Sequence, residues 1–151
     1  MVRETPAGAG GLVRLALEDV AERLRGVLPR HPQVAGAYIY GSALDVCRPD
    51  SDIDVALILE QEPSRPLDDT TDVAVEAALG RYGNHPYHVV TLRSEQVPFS
   101  FRVLRTGWLI YERDHARVAD FIFRVARQHE DLAPFLASFY RERRRRLAAI
   151  P

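Results

Sequence analysis

An α/β (α+β) fold, a small mixed β-sheet with helices packed on it, is predicted by three features of this sequence. Four short apolar runs have strand character: "VAGAYIY" at 34–40, "DIDVALIL" at 52–59, "YHVVTL" at 87–92 and "WLIYE" at 108–112. Between and after them lie segments whose apolar residues recur at helical spacing. Of the 151 residues, 46% are apolar and 27% charged, the balance of a globular chain with a real core.

Residues 1–10, with Gly and Pro, read as a loose N-terminal arm. Residues 11–151 read as one domain, because no internal repeat or long linker divides them. From Leu12 to Leu28, the positions Leu17, Val20, Leu24, Val27 and Leu28 follow one helix face, and His31-Pro32 stops the helix. Gly41-Ser42 breaks the first strand, and a short helical or loop segment follows. Pro63 and Pro66 mark a loop; Asp68 to Tyr82 reads as a helix ended by Gly83-Asn84. After the third strand a short helix carries Phe101, Val103 and Leu104 and stops at Gly107. From about Asp114 to Ala149 the C-terminus is helical. Asp131 before Leu132-Ala133-Pro134 suits an N-cap with proline in the first turn, giving two helices or one kinked helix. The expected order is α-β-β-α-β-α-β-α-α.

Several function classes drop out. No apolar run approaches the ~20 residues of a membrane span, and the N-terminus lacks a basic-then-apolar signal pattern. Cys47 is the only cysteine, so no internal disulfide forms and a reducing cytoplasm is the expected location. It reads as a packing residue before a nucleophile. A net charge of −1 makes no whole-chain case for nucleic acid. All 20 basic residues are arginine, which excludes a Schiff-base or phosphate-loop lysine. Five of them fall in "RERRRR" at 141–146; on a last helix that run reads as a solvated or partner-facing surface, with RNA contact as the other reading.

Chemistry concentrates in "IYGSALDVCRPDSDIDVALIL", residues 39–59. Asp52 and Asp54 sit i, i+2, so in a strand both carboxylates leave one face, with Cα atoms about 6.6 Å apart. Beside the apolar run Val55 to Leu59 they repel each other and lose hydration, so a cation belongs between them: arginine or metal. Paired aspartates offer the hard oxygen ligands that Mg²⁺ takes together with substrate phosphates. Upstream, Gly41 lets backbone approach a phosphate, and the Ser42 hydroxyl with the following N–H groups can hold phosphate oxygens. A phosphate holder and a metal holder on adjacent strands make a nucleoside triphosphate site. The competing structural reading puts Asp50, Ser51 and Asp52 in a turn and Asp54 against an arginine such as Arg48. It accounts poorly for Asp54, which is already inside the strand.

"GS", nine residues, then "DID" resembles the signature of the polymerase-β-type nucleotidyltransferase superfamily, and most closely its minimal nucleotidyltransferases with "GS…RPDSDID" before an apolar strand. "FRVLRTGWLIYERD" (101–114) and "EDLAPFLASFY" (130–140) are similar to later segments of that group, so the resemblance spans roughly 12–146. It implies a nucleotidyltransferase fold and Mg²⁺-dependent transfer of AMP from ATP to a hydroxyl, with Asp52 and Asp54 as metal ligands and Gly41, Ser42 and Arg48 on the nucleotide. Arg102 and Arg105 are further candidates for triphosphate charge. Stand-alone members of the group resemble antitoxins that adenylylate a tyrosine on a partner HEPN-domain toxin, which implies such a partner here.

One position departs from the pattern. Where the family carries a third carboxylate, as metal ligand and base, this chain has His88. Neutral imidazole can act as a base near pH 7, yet it is a poorer partner than carboxylate for Mg²⁺. Two alternatives therefore stand: a working enzyme with His88 as base, or a lapsed enzyme that neutralises its partner by binding. Nucleotide transfer to a small molecule such as an antibiotic is the third, with short length against it. A chain of 151 residues leaves little room for a separate acceptor domain, so the acceptor site is expected from the C-terminal helices, a second copy or a partner protein, the last two as a homo- or hetero-oligomer. Tyr38 and Tyr40 read as packing; His85 and His129 read as loop-like or helical surface residues without ligand spacing.

Overall fold

Residues 2–8, 10–129 and 132–148 are described by the computed structural model. An N-terminal hairpin joins β1 (Glu4–Pro6) to β2 (Val13–Leu15) in antiparallel register. The sequence reading of a loose arm running into a helix from Leu12 is thus corrected: β1 satisfies the backbone of 13–15, and α1 (Leu17–Val27) starts only after it. Glu18 and Asp19 in the first turn of α1 and Arg25 in its last complement the helix dipole.

β3 (Val34–Tyr40) and β4 (Ile53–Leu59) form the antiparallel centre of the main sheet, joined by the 3-10 turn Gly41–Leu44 and a loop. Next come α2 (Thr71–Leu79), β5 (Arg81–Tyr82), β6 (His85–Thr91), α3 (Val97–Thr106), β7 (Trp108–Glu112), α4 (His115–Gln128) and α5 (Leu132–Ala148). Strand order is β5-β6-β4-β3-β7, with β4 and β6 parallel and the other pairs antiparallel, so the sheet is mixed as expected. α2 is shorter than expected because Gly80, at φ +67°, ends it; Arg81 and Tyr82 then pair with the start of β6, which begins at His85 rather than Tyr87. Asp114 caps α4 by accepting the Arg117 N–H at 3.0 Å. The C-terminus is two helices, with Pro134 inside the first turn of α5; Asp131 lies outside the described residues.

Period-two alternation on β4 separates two cores. Ile53, Val55, Leu57 and Leu59 face a cluster containing Val20, Leu24, Val75 and Leu79 of α1 and α2. Ala56 and Ile58 face the other, containing Phe101 and Leu104 of α3 and Val118, Phe121 and Ile122 of α4. Full burial of each such side chain stabilises the fold by about 1.5–3 kcal/mol, so β4 is held from both sides. Asp54 shares the alternation of Ala56 and Ile58 and, unlike the rest of β4, is only partly buried. Among the described residues no helix is long and apolar enough to cross a membrane.

Candidate active site

Three strands bring the predicted site together. Tyr40 pairs with Asp54 across β3 and β4, and Asp54 stands in register with His88 across β4 and β6. His88 Nδ1 lies 3.4 Å from Asp54 Oδ1. Asp54 Oδ2 points to Gly41: a Cβ there would lie 2.6 Å from it. Gly41 also has φ +77°, a conformation L side chains rarely adopt, so glycine is needed twice over. Ser42 and Asp52 are exposed at the mouth, and Asp54 is half-buried.

Electrostatics single out Asp54. Burial raises its carboxyl above the usual range, His88 opposes that by hydrogen bond and charge, and Asp52 raises it further. Burial, then the charge of Asp54, pushes the Tyr40 phenol up to about 12, so Tyr40 is a neutral donor at this edge. Phe99 sits edge-on to Tyr40 at 5.8 Å between ring centroids, and the Arg102 guanidinium lies 5.6 Å over Phe99. Arg102 is thereby carried toward the site, whereas Arg105 lines a cleft of about 1240 Å³ beside β7 and α5.

Arg48 is exposed and paired with Asp50 at 3.3 Å, not with Asp54. Among the described residues Asp54 is paired with His88 and with no arginine, against the structural reading in which an arginine neutralises it. Asp52 lies one residue before β4 rather than inside it, yet its charge still acts on Asp54 and raises that carboxyl. Cys47 is buried, and burial raises its thiol, which suits a packing residue. His129 ends α4 with its ring stacked on Phe101, centroids 3.6 Å apart.

His85 corrects its expectation outright. It is fully buried, with Nδ1 2.8 Å from Ser51 O and Nε2 2.6 Å from Glu4 Oε1. No local pattern could have found this, because the carboxylate is 81 residues away. Tyr40 packs against the core as its alternation with Tyr38 predicts, and it also pairs with Asp54 across the strands.

Among the described residues no group of three or more His, Cys, Asp or Glu side chains is arranged as a metal cage. The donor set nonetheless fits Mg²⁺, which binds through one or two carboxylates and completes its shell with water and phosphate oxygens. Asp52 and Asp54 are two acids with no arginine partner among the described residues, beside a glycine whose missing Cβ leaves Asp54 Oδ2 open.

Residues 22–116 match the sequence model of the family described as polymerase beta, nucleotidyltransferase. Among curated proteins the sequence finds no match. Two solved structures share the fold. One is a mutant of the toxin–antitoxin pair MntA–HpeT, at 16% identity and TM-score 0.56 over 78% of this chain and 90% of that one. The other is a complex of a tri-AMPylated Shewanella oneidensis HEPN toxin with an MNT antitoxin, at 18% identity and TM-score 0.51 over 76% of this chain and 84% of that one.

Proposed function

The chain belongs to the polymerase beta nucleotidyltransferase family, and on that premise we propose that it transfers AMP from ATP to a hydroxyl of a HEPN-type toxin, acting as its antitoxin. The observation that carries the reading is Asp54, half-buried with no arginine partner among the described residues, its two oxygens divided between His88 and Gly41. Asp52 and Asp54 would hold Mg²⁺, which when bound offsets triphosphate charge. The Gly41-Ser42 turn would receive phosphate oxygens close to backbone, with Arg48, exposed on the loop that leads to Asp52, to meet their charge. The acceptor oxygen attacks the α-phosphorus, the bond to the bridging oxygen breaks, and pyrophosphate leaves.

Asp54 Oδ1 can only accept when ionised, so His88 donates from Nδ1 and keeps its lone pair on Nε2. Nε2 is then the base that takes the acceptor's proton. A protein acceptor is favoured because two solved structures that share this fold are toxin–antitoxin complexes, one of them with a tri-AMPylated HEPN toxin. A second reading, neutralisation by contact alone, draws on the imidazole that stands where the family has a carboxylate.

Wild type, His88→Ala and His88→Asp incubated with labelled ATP, Mg²⁺ and the candidate partner separate the two. The expected result is labelled partner with wild type, loss of about 10²–10⁴-fold with His88→Ala, and recovery with His88→Asp. All three inactive despite Mg²⁺-dependent ATP binding would leave the contact reading in place.

A further inference from the structure

The loop that presents Asp52 is tied at both ends to the N-terminal hairpin. At one end β2 meets it: Val13 N donates to Cys47 O at 2.8 Å and Cys47 N to Val13 O at 2.9 Å. At the other end His85 bridges Ser51 O to Glu4 of β1. Ser51 itself is set by Arg48, whose N–H donates to Ser51 Oγ at 3.0 Å while Ser51 N donates to Arg48 O at 3.1 Å. One residue beyond, Ile53 is fully buried and paired with Tyr87. Asp52 therefore stands between two fixed points.

The chemistry of the bridge is constrained. A carbonyl oxygen only accepts, so His85 Nδ1 carries a hydrogen. At 2.6 Å two facing lone pairs would repel, so a second proton lies between Nε2 and Glu4 Oε1. The pair is imidazolium with carboxylate or imidazole with carboxylic acid. Both are neutral overall, which a fully buried ring tolerates. Both ring nitrogens are thus partnered, Nδ1 by the loop and Nε2 by the hairpin, so the ring joins the two.

We propose that Glu4 and His85 are positioning residues that set Asp52 for the Mg²⁺–nucleotide complex, making the hairpin a working part of the site. This rests on the reading of Asp52 as a metal holder. Groups that orient metal ligands from behind shift metal affinity about 10–100-fold when removed.

Glu4→Ala, Glu4→Gln and His85→Ala test it in the full chain by two readouts: amide hydrogen exchange over residues 48–53, and titration of ATP with Mg²⁺. Glu4→Ala should exchange faster at these amides and bind Mg²⁺–ATP about 10–100-fold more weakly. Glu4→Gln should stay close to wild type in both, because its amide donates to a neutral Nε2 while Nδ1 keeps Ser51 O. His85→Ala opens a cavity and can unfold, so the two Glu4 variants decide. A folded Glu4→Ala with wild-type exchange overturns the proposal, as does faster exchange with unchanged affinity, or Glu4→Gln as impaired as Glu4→Ala. Should wild type bind no Mg²⁺–ATP, the nucleotidyltransferase reading falls by itself; exchange then judges the clamp, with lost protection supporting it and retained protection overturning it.

Discussion

At the head of β4, Asp52 and Asp54 stand two residues apart with only His88 bonded to either carboxylate among the described residues. On α5, the run Arg141–Arg146 carries far more charge and is largely spent. Arg143 pairs with Glu112 at 2.5 Å, Arg145 and Arg146 both reach Glu142, and Arg146 lies 5.2 Å over the Trp108 ring, which Arg25 also approaches. The arginine run stands out in composition, yet opposite charges and an aromatic face absorb it into the packing of α5 against β7. The acid pair is the smaller signal and the unbalanced one. Like charges held together with a single imidazole between them are a cost to the fold, and such groups mark sites better than charge density does.

Asp54→Asn should separate the two regions most sharply. The isosteric amide removes a ligand and the repulsion with Asp52 together. Mg²⁺-dependent ATP affinity should fall by at least about a hundredfold in calorimetric titration, since even supporting groups cost up to that much. Stability should not fall. Burial raises the Asp54 carboxyl in the folded state, so its contribution is full below the unfolded-chain value and is lost as pH rises through the folded value. Thermal melts across that window should show wild type losing stability with rising pH and Asp54→Asn losing less. An Asp54→Asn protein that melts well below wild type at neutral pH would mean the carboxylate is structural after all.

Gly41→Ala is expected to have a smaller effect of mixed kind. The left-handed backbone costs an alanine about 1–2 kcal/mol, visible in urea unfolding. The added Cβ must also displace Asp54 Oδ2, so Mg²⁺–ATP affinity falls with it. Loss of stability without loss of affinity would place the nucleotide elsewhere.

Arg143→Ala, at the balanced end, should cost about 0.5–1 kcal/mol of stability through its pair with Glu112 and leave Mg²⁺–ATP affinity unchanged. A change in affinity there would mean that the arginine run and the acid pair are coupled.

Whatever depends on near neighbours was legible along the chain. β3 coincides with "VAGAYIY" and β7 with "WLIYE", because apolar runs bounded by Gly, Pro or Asp carry their own limits. The spacing of Asp52 and Asp54 from Gly41-Ser42 is written in the chain and needed no coordinates. Tertiary structure alone decided what depends on partners far along the chain. Residues 4–6 and 13–15 are strand only because they pair with each other, and Tyr82 leaves its helix only because β6 takes it. His88 meets Asp54 through a parallel ladder whose register no local pattern specifies. His85 is buried because Glu4 and Ser51 close over it from 81 and 34 residues away. Side-chain type and period are local quantities, whereas burial and hydrogen-bond partnership are set by chain closure, and those last steps turn an acid pair into a site.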